Sequence, residues 1–264
     1  MGAAGMDRDD APSGLFRGPP AYRARTPWQA GWALLATVVI VALSIAGAAL
    51  LLQGLGLGEA FNSPPAPMRG RVGEISSAEL QLVAVWQVLL VALTLLASAS
   101  FGGRVRDVLA LRPAPGGLRT YAGAFLALAA FQILLALVQH SFRHDMTTDL
   151  RPFVGLIRGP DWAVTAAVVG IGAPLSEELL FRGFLLAALA RTRLGFWGAA
   201  LISTLLWAGL HAGYTLVGLA EVFAIGLFLS WLLWRTGSLR VAIFCHALYN
   251  SLIVLALRYV DLPP

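Results

Sequence analysis

The chain has 264 residues, of which 58% are hydrophobic and only 12% charged. A soluble domain of this size would carry about 25% charged residues, so the composition points to a membrane protein. All 19 basic residues are arginine. They are scattered singly between apolar runs and form no stripe, which excludes a nucleic-acid-binding surface. The single cysteine, Cys245, excludes an internal disulfide and reads as a small buried side chain.

Residues 1–27 are rich in Gly, Pro, Asp and Arg and read as a disordered cytoplasmic tail. The apolar run from Trp28 is too long for a signal-peptide core and reads as an uncleaved first span. A membrane-crossing helix needs about 20 mostly apolar residues. Candidate spans are 28–54, 79–101, 119–141, 161–190, 196–212, 214–235 and 239–259. Breakers separate them: Gly54, Gly56, Pro64 and Pro65 after the first span, and Gly102, Pro113 and Pro115 after the second. The expected fold is an all-α, polytopic transmembrane bundle of seven or eight spans. Residues 28–118 form N-terminal membrane helices and loops, and 119–260 form a functional core. Trp28, Trp32, Trp197, Trp231 and Trp234 lie near span ends, as in an aromatic belt.

The arginines set orientation. Arg8, Arg17, Arg23 and Arg25 place the N-terminus inside. Arg104, Arg106 and Arg112 mark an inside loop, and so do Arg191 with Arg193 and Arg235 with Arg240. The loop 142–160 carries Arg143, Arg151 and Arg158, although the same count puts it outside. The expected location is the inner (plasma) membrane, multi-pass, with a cytoplasmic N-terminus and membrane lipid as a partner.

Three patterns carry chemistry: Glu177 and Glu178 followed by Arg182, Trp207 followed by His211, and His246 followed by Asn250. Ionisable groups at membrane depth are costly and are functional by default. Glu178 and Arg182 stand four apart in the favourable order for a helical ion pair. That pairing leaves Glu177 to face a cavity, where a carboxylate serves as a general base. Taken alone, each pattern has a bland reading: an interfacial acid pair, a histidine at a helix end, or an amide joining two helices. One shared site explains all three at once. Two adjacent carboxylates, two histidines and an amide in apolar segments look like a hydrolytic site held inside a membrane. Glu221, alone in an apolar helix, suits either a cavity or an interface.

The depths conflict, however. At 1.5 Å per residue Glu177 lies roughly 20 Å from Arg191, whereas His246 lies about 9 Å from Arg240. For these groups to meet, the helix carrying Glu177 is expected to run past the membrane, with residues 183–193 projecting into the cytoplasm.

At these positions the sequence resembles a known family. The run from Pro174 to Leu186 is similar to the EExxxR motif of the CPBP family. That family holds intramembrane proteases related to the type II CAAX prenyl endopeptidase, with bacterial Abi and lysostaphin-resistance-like proteins. Its FxxxH motif reads Trp207 to His211 here, with Trp in place of Phe. Its HxxxN motif reads His246 to Asn250. The resemblance covers roughly residues 120–255. It implies that Glu177 activates the attacking water with help from His211. It also implies that His246 and Asn250 donate to the oxyanion, while Glu178, Arg182 and Trp207 support them. The expected activity is a CAAX-type intramembrane endopeptidase acting on a membrane-associated protein or peptide. The alternative is a non-enzymatic scaffold or bacteriocin-immunity-type protein that uses the same cluster for binding. No cofactor is expected. Two histidines and a glutamate suit zinc in principle, but the histidines have no local ligand spacing and Arg182 disfavours a dication. A metal-free site is therefore preferred.

Overall fold

The computed structural model describes residues 15–16, 18–57, 75–100, 103–141 and 147–260. Among these residues all regular structure is helical. The long helices are α1 (Ala30–Gly54), α2 (Ser77–Ser100), α4 (Leu118–Ser141), α6 (Trp162–Leu189), α8 (Leu216–Thr236) and α9 (Leu239–Tyr259). Each is long and apolar enough to cross a membrane. Shorter helices are α3 (Val105–Val108), α5 (Val154–Arg158) and α7 (Gly195–Gly209), with a 3₁₀ turn at Thr148–Phe153. The seven candidate spans each match a helix to within three residues, the largest gap being 212 against Gly209. Six of the seven have the length of a span. The 15 residues of α7 rise about 22 Å, short of the ~30 Å hydrocarbon layer.

Helix ends follow local chemistry. The Thr215 hydroxyl accepts from the Gly218 amide at 3.0 Å and caps α8. Gly237, at φ 63°, closes the same helix in the left-handed region, where its amide donates to Leu233 at 2.8 Å. The Ser238 hydroxyl then donates to the Arg112 carbonyl at 2.6 Å, tying the start of α9 to the segment after α3.

Hydrogen bonds sort the loops into two ends of the bundle. One end gathers Ala21 and Tyr22 on the carbonyls of Arg235 and Trp234, and Leu239 on the carbonyl of Ala110. The Thr26 hydroxyl joins them on Ala187. The other end gathers Ile75 on Pro152, Asp149 on Thr215 at 2.8 Å and Arg158 on Leu257 and Val260.

The core lies around α6, whose residues 178–189 are all buried. Helices α1, α2 and α4 instead turn Leu35, Val38, Leu96, Leu126, Ile133 and Leu137 outward. A helix apolar on every face has no reason to meet water on one of them, and lipid is the solvent that suits it.

Three expectations meet these facts. Residues 1–14 and Arg17 of the expected tail lie outside the described residues, as do 58–74 and 142–146 of the loops. Residues 18–27 lie against the core, with Tyr22 and Thr26 buried. Second, residues 183–189 do not project freely. Trp28 stacks on Phe184 at 4.8 Å, and Leu109 and Leu239 close over Gly183. The depth conflict is resolved because the longer end of α6 is sheathed by the segment before α1 and by α3. Third, Trp28 is only 5% exposed. It is a core residue rather than part of an aromatic belt, because its ring fills the space beside Phe184.

Candidate active site

The site begins with an irregular helix. Two π-helical segments, Val168–Gly172 and Glu178–Leu185, flank the α-helical turn Ala173–Glu177. Pro174 lies in that turn and has no N–H to give to the ladder, so the backbone before it must find other partners. Glu177 ends the α-helical turn and Glu178 opens the second π-helical segment, and both reach one imidazole. On a regular helix they stand 100° apart.

His246 of α9 lies between the two acids. Its Nδ1 is 3.0 Å from Glu178 Oε1, and its Nε2 is 4.0 Å from Glu177 Oε2. With Nδ1–H donating to Glu178, Nε2 is the ring's free nitrogen and points at Glu177. At 4.0 Å the two atoms are beyond direct hydrogen-bond distance.

Glu178 and Arg182 are both fully buried and paired at 3.0 Å between Oε1 and Nη1. The expected i,i+4 pair is therefore formed. Arg182 does more than neutralise an acid, since its guanidinium lies over the Trp207 ring at 4.2 Å. A cation over a desolvated indole gains about 2 kcal/mol or more. Trp207 in turn donates its indole N–H to Glu177 Oε2 at 2.7 Å. Arg182, Trp207 and Glu177 thus form one chain of contacts. A phenylalanine at position 207 has no N–H and cannot make its last link.

Gly226 of α8 makes room for this packing. A Cβ there would stand 2.6 Å from Thr204 Cγ2, 2.7 Å from Arg182 Nη2 and 2.8 Å from Trp207 Cζ3. Ser203 of α7 donates to the Phe181 carbonyl at 2.7 Å, which fixes α7 against the second π-helical segment.

His211 stands in the turn after α7. Its ring meets Trp207 edge-on at 5.2 Å and Tyr214 at 5.2 Å. Its Nδ1 lies 3.3 Å from the Trp207 carbonyl, leaving Nε2 for other work. Asn250 sits one turn beyond His246 and donates to the Val169 carbonyl of α6 at 3.1 Å. An amide nitrogen carries two hydrogens, so this bond uses one of them.

Glu177, Glu178, Arg182, Trp207 and His246 are thus linked by a continuous run of contacts. His211 joins them through the Trp207 ring, and Asn250 joins through the backbone of α6. Glu177 keeps 15% of its side chain exposed while Glu178 keeps none. That difference separates an acid open to water from one enclosed by its partners.

Sequence reasoning missed two neighbours. Tyr214 packs on His211, and its phenol is pushed up to about 12 by burial, then by the negative charges of Glu177, Asp149 and Glu221. Its place three residues after His211 was the available signal. Gln139 of α4 donates to Glu221 at 2.8 Å and supplies the partner that Glu221 lacked in sequence. A cavity lined by Arg23, Arg25 and Arg112 opens at the bundle end that holds Gly237. It contains none of the hydrolytic groups. Cys245 is buried, as expected.

Comparison with known proteins gives a family for this segment. Residues 159–252 match the model described as "Type II CAAX prenyl endopeptidase Rce1-like". The chain is also 39% identical over 89 residues to an uncharacterized 24.3 kDa protein of Escherichia coli. That match covers 33% of this chain and 41% of the relative, so the chain spans less than half of the relative's length. No solved structure matches the chain. All three motifs fall inside the matched residues, and the segment that carries Glu177, His211, His246 and Asn250 is a type II CAAX endopeptidase-like segment of a polytopic helical chain.

Proposed function

We propose that the protein is an intramembrane endopeptidase in which Glu177 activates a water against a peptide carbonyl. The observation that carries the reading is the placement of His246 Nε2 at 4.0 Å from Glu177 Oε2. A water held between them gives its proton to the carboxylate as its oxygen attacks the carbonyl, and the acid so formed returns that proton to the amine that leaves when the C–N bond breaks. The Trp207 N–H engages that same Oε2, and the oxygen's second lone pair is left for the water. His211, held by Trp207 and Tyr214, is the second group for proton movement.

The tetrahedral intermediate needs donors at its oxyanion. His246 Nε2, once protonated, is one. Glu178 supports that form, because its carboxylate lies on the other ring nitrogen. The second hydrogen on Asn250 Nδ2 is the other. Glu178 and Arg182 then act by fixing His246 and Trp207, without touching substrate. The substrate class is a membrane-associated protein or peptide, cut near its membrane-proximal end.

The topology follows the same reasoning. The bundle end holding residues 18–28 also carries Arg104, Arg106, Arg112, Arg191, Arg193, Arg235 and Arg240, which makes it the cytoplasmic face of the inner membrane. Helix α7 joins the two ends as a seventh, short passage, and the turns at 210–215 lie at its outer mouth. A cysteine-labelling scan of residues 191 and 240 against 149 and 215 tests this. Labelling of all four from one side of sealed vesicles overturns it.

The reading is tested by incubating the purified chain, reconstituted with lipid, with membrane proteins and sequencing the new termini. Wild type should produce cuts and Glu177→Gln should not. A scaffold using the cluster for binding would tolerate that change, because the amide preserves shape.

A further inference from the structure

Gln87 lies in α2, outside the segment that matches the family model. It is 6% exposed within an apolar helix. A buried amide is costly unless it is bonded. Its carboxamide faces the first π-helical segment of α6. Oriented to satisfy both groups, the nitrogen donates to the Val168 carbonyl at 3.2 Å and the oxygen accepts from the Ala173 amide at 3.3 Å. The same two groups are joined to each other, since the Ala173 amide donates to the Val168 carbonyl in a wide i→i+5 bond of the π-helical segment, and the Gln87 amide brackets that bond from the side.

The next two carbonyls are taken from the opposite side. Asn250 of α9 donates to Val169 at 3.1 Å, and Ser251 reaches Gly170 at 3.5 Å. Three successive carbonyls of α6 therefore accept from side chains of two other helices, Val168 in addition to its bond from the Ala173 amide. In lipid this is the means by which an interrupted helix stays ordered. The fit is close on both sides. A Cβ on Gly172 would run into the Gln87 amide, and one on Gly170 would stand 2.7 Å from Ser251 Oγ.

We infer that Gln87 is a positioning residue for the hydrolysis proposed above, holding the π-helical segment in the geometry from which Glu177 meets Trp207 and His246. The inference rests on that reading of the site. Glu177 follows Pro174 by three residues, less than one helical turn. A one-residue change in the hydrogen-bond register of Val168–Gly172 rotates everything after it by about 100°, a little over a quarter of a turn. Gln87 acts on the chemistry through the backbone and does not touch the reacting atoms.

The test uses the full chain in detergent or lipid with Gln87→Leu and Gln87→Glu. Gln87→Leu should lower kcat about tenfold, as for one lost hydrogen-bonding group, with KM within about twofold. Backbone hydrogen exchange over residues 168–174 should quicken about tenfold by the same free-energy change. Gln87→Glu restores a donor and an acceptor only while its carboxyl is protonated. Its turnover should therefore approach wild type at acid pH and fall away as pH rises. A residue that only stabilises the fold would lower the active fraction, leaving kcat per active site and the pH profile as in wild type, and that result overturns the inference. Hydrogen exchange separates the two possible failures. An inactive wild type with fast exchange in Gln87→Leu removes the reaction, and the positioning role with it, but keeps the clamp. An active wild type whose kcat and exchange are both unchanged in Gln87→Leu removes the clamp and keeps the reaction.

Discussion

Removing Arg182 should damage folding before it damages chemistry, and its size can be worked from its contacts. Arg182→Ala leaves the Glu178 carboxylate fully buried with only His246 beside it. Breaking a buried pair by deleting one partner costs about 3–5 kcal/mol. The stacked guanidinium on Trp207 at 4.2 Å is lost as well, and the two losses overlap because one side chain makes both contacts. At roughly 2–4 °C per kcal/mol for a chain of this size, the melting temperature in detergent should fall by about 6–20 °C. A double-mutant cycle with Glu178→Gln isolates the pair. Arg182→Met combined with Glu178→Gln should be less harmful than the sum of the two single changes, with a coupling of about 0.5–3 kcal/mol. Unchanged melting with complete loss of activity would refute the reasoning and move Arg182 into the reacting group. Additive single mutants would show that the pair is not coupled.

Three further outcomes follow from the same contacts. Trp207→Phe should fold normally but lower kcat/KM roughly ten- to hundredfold, because a hydrogen bond to a charged group contributes about 1.5–3 kcal/mol; wild-type kinetics in this variant would make the 2.7 Å bond to Glu177 incidental. Gly226→Ala should lower thermal stability by about 1–3 kcal/mol through overpacking, since the added carbon meets Thr204, Arg182 and Trp207; an unchanged melting curve would contradict the packing around Arg182. The Tyr214 phenol, pushed up to about 12, binds its proton more tightly folded than unfolded. It therefore contributes stability that is whole below about pH 10 and is lost as pH rises toward 12. The difference ultraviolet titration between wild type and Tyr214→Phe should show no phenolate below about pH 11 while the protein is folded, and a phenolate at pH 10 would contradict its burial.

Much of the architecture was legible in the sequence because lipid imposes a simple rule: about 20 apolar residues make a crossing helix. The motifs were legible for the converse reason, since Glu177, Glu178, Arg182 and His246 are expensive where they stand. The π-helical segments were not legible. The backbone of the first accepts from Gln87, Asn250 and Ser251, which come from helices distant in sequence. Pro174 signalled an interruption but not its form. The bond from Trp207 to Glu177 was hidden for a similar reason. The change from Phe to Trp reads as a loss of fit until the indole N–H is seen to reach a carboxylate. The depth conflict between Arg191 and Arg240 arose from treating both as marks of one plane. The end of α6 instead lies deeper in a sheath built by residues 18–28 and α3. Residues 18–27, polar enough to read as tail, pack because Tyr22 and Thr26 find partners on α8 and α6.

The central claim is that Glu177 is the base of a peptide hydrolase, and one comparison tests it most directly. Wild type and Glu177→Gln are reconstituted in lipid at equal folded amounts and given the same membrane proteome, and new termini are sequenced. The account predicts defined cuts by wild type and none by Glu177→Gln, with both proteins melting within a few degrees of each other. Equal cutting by the two proteins would contradict it.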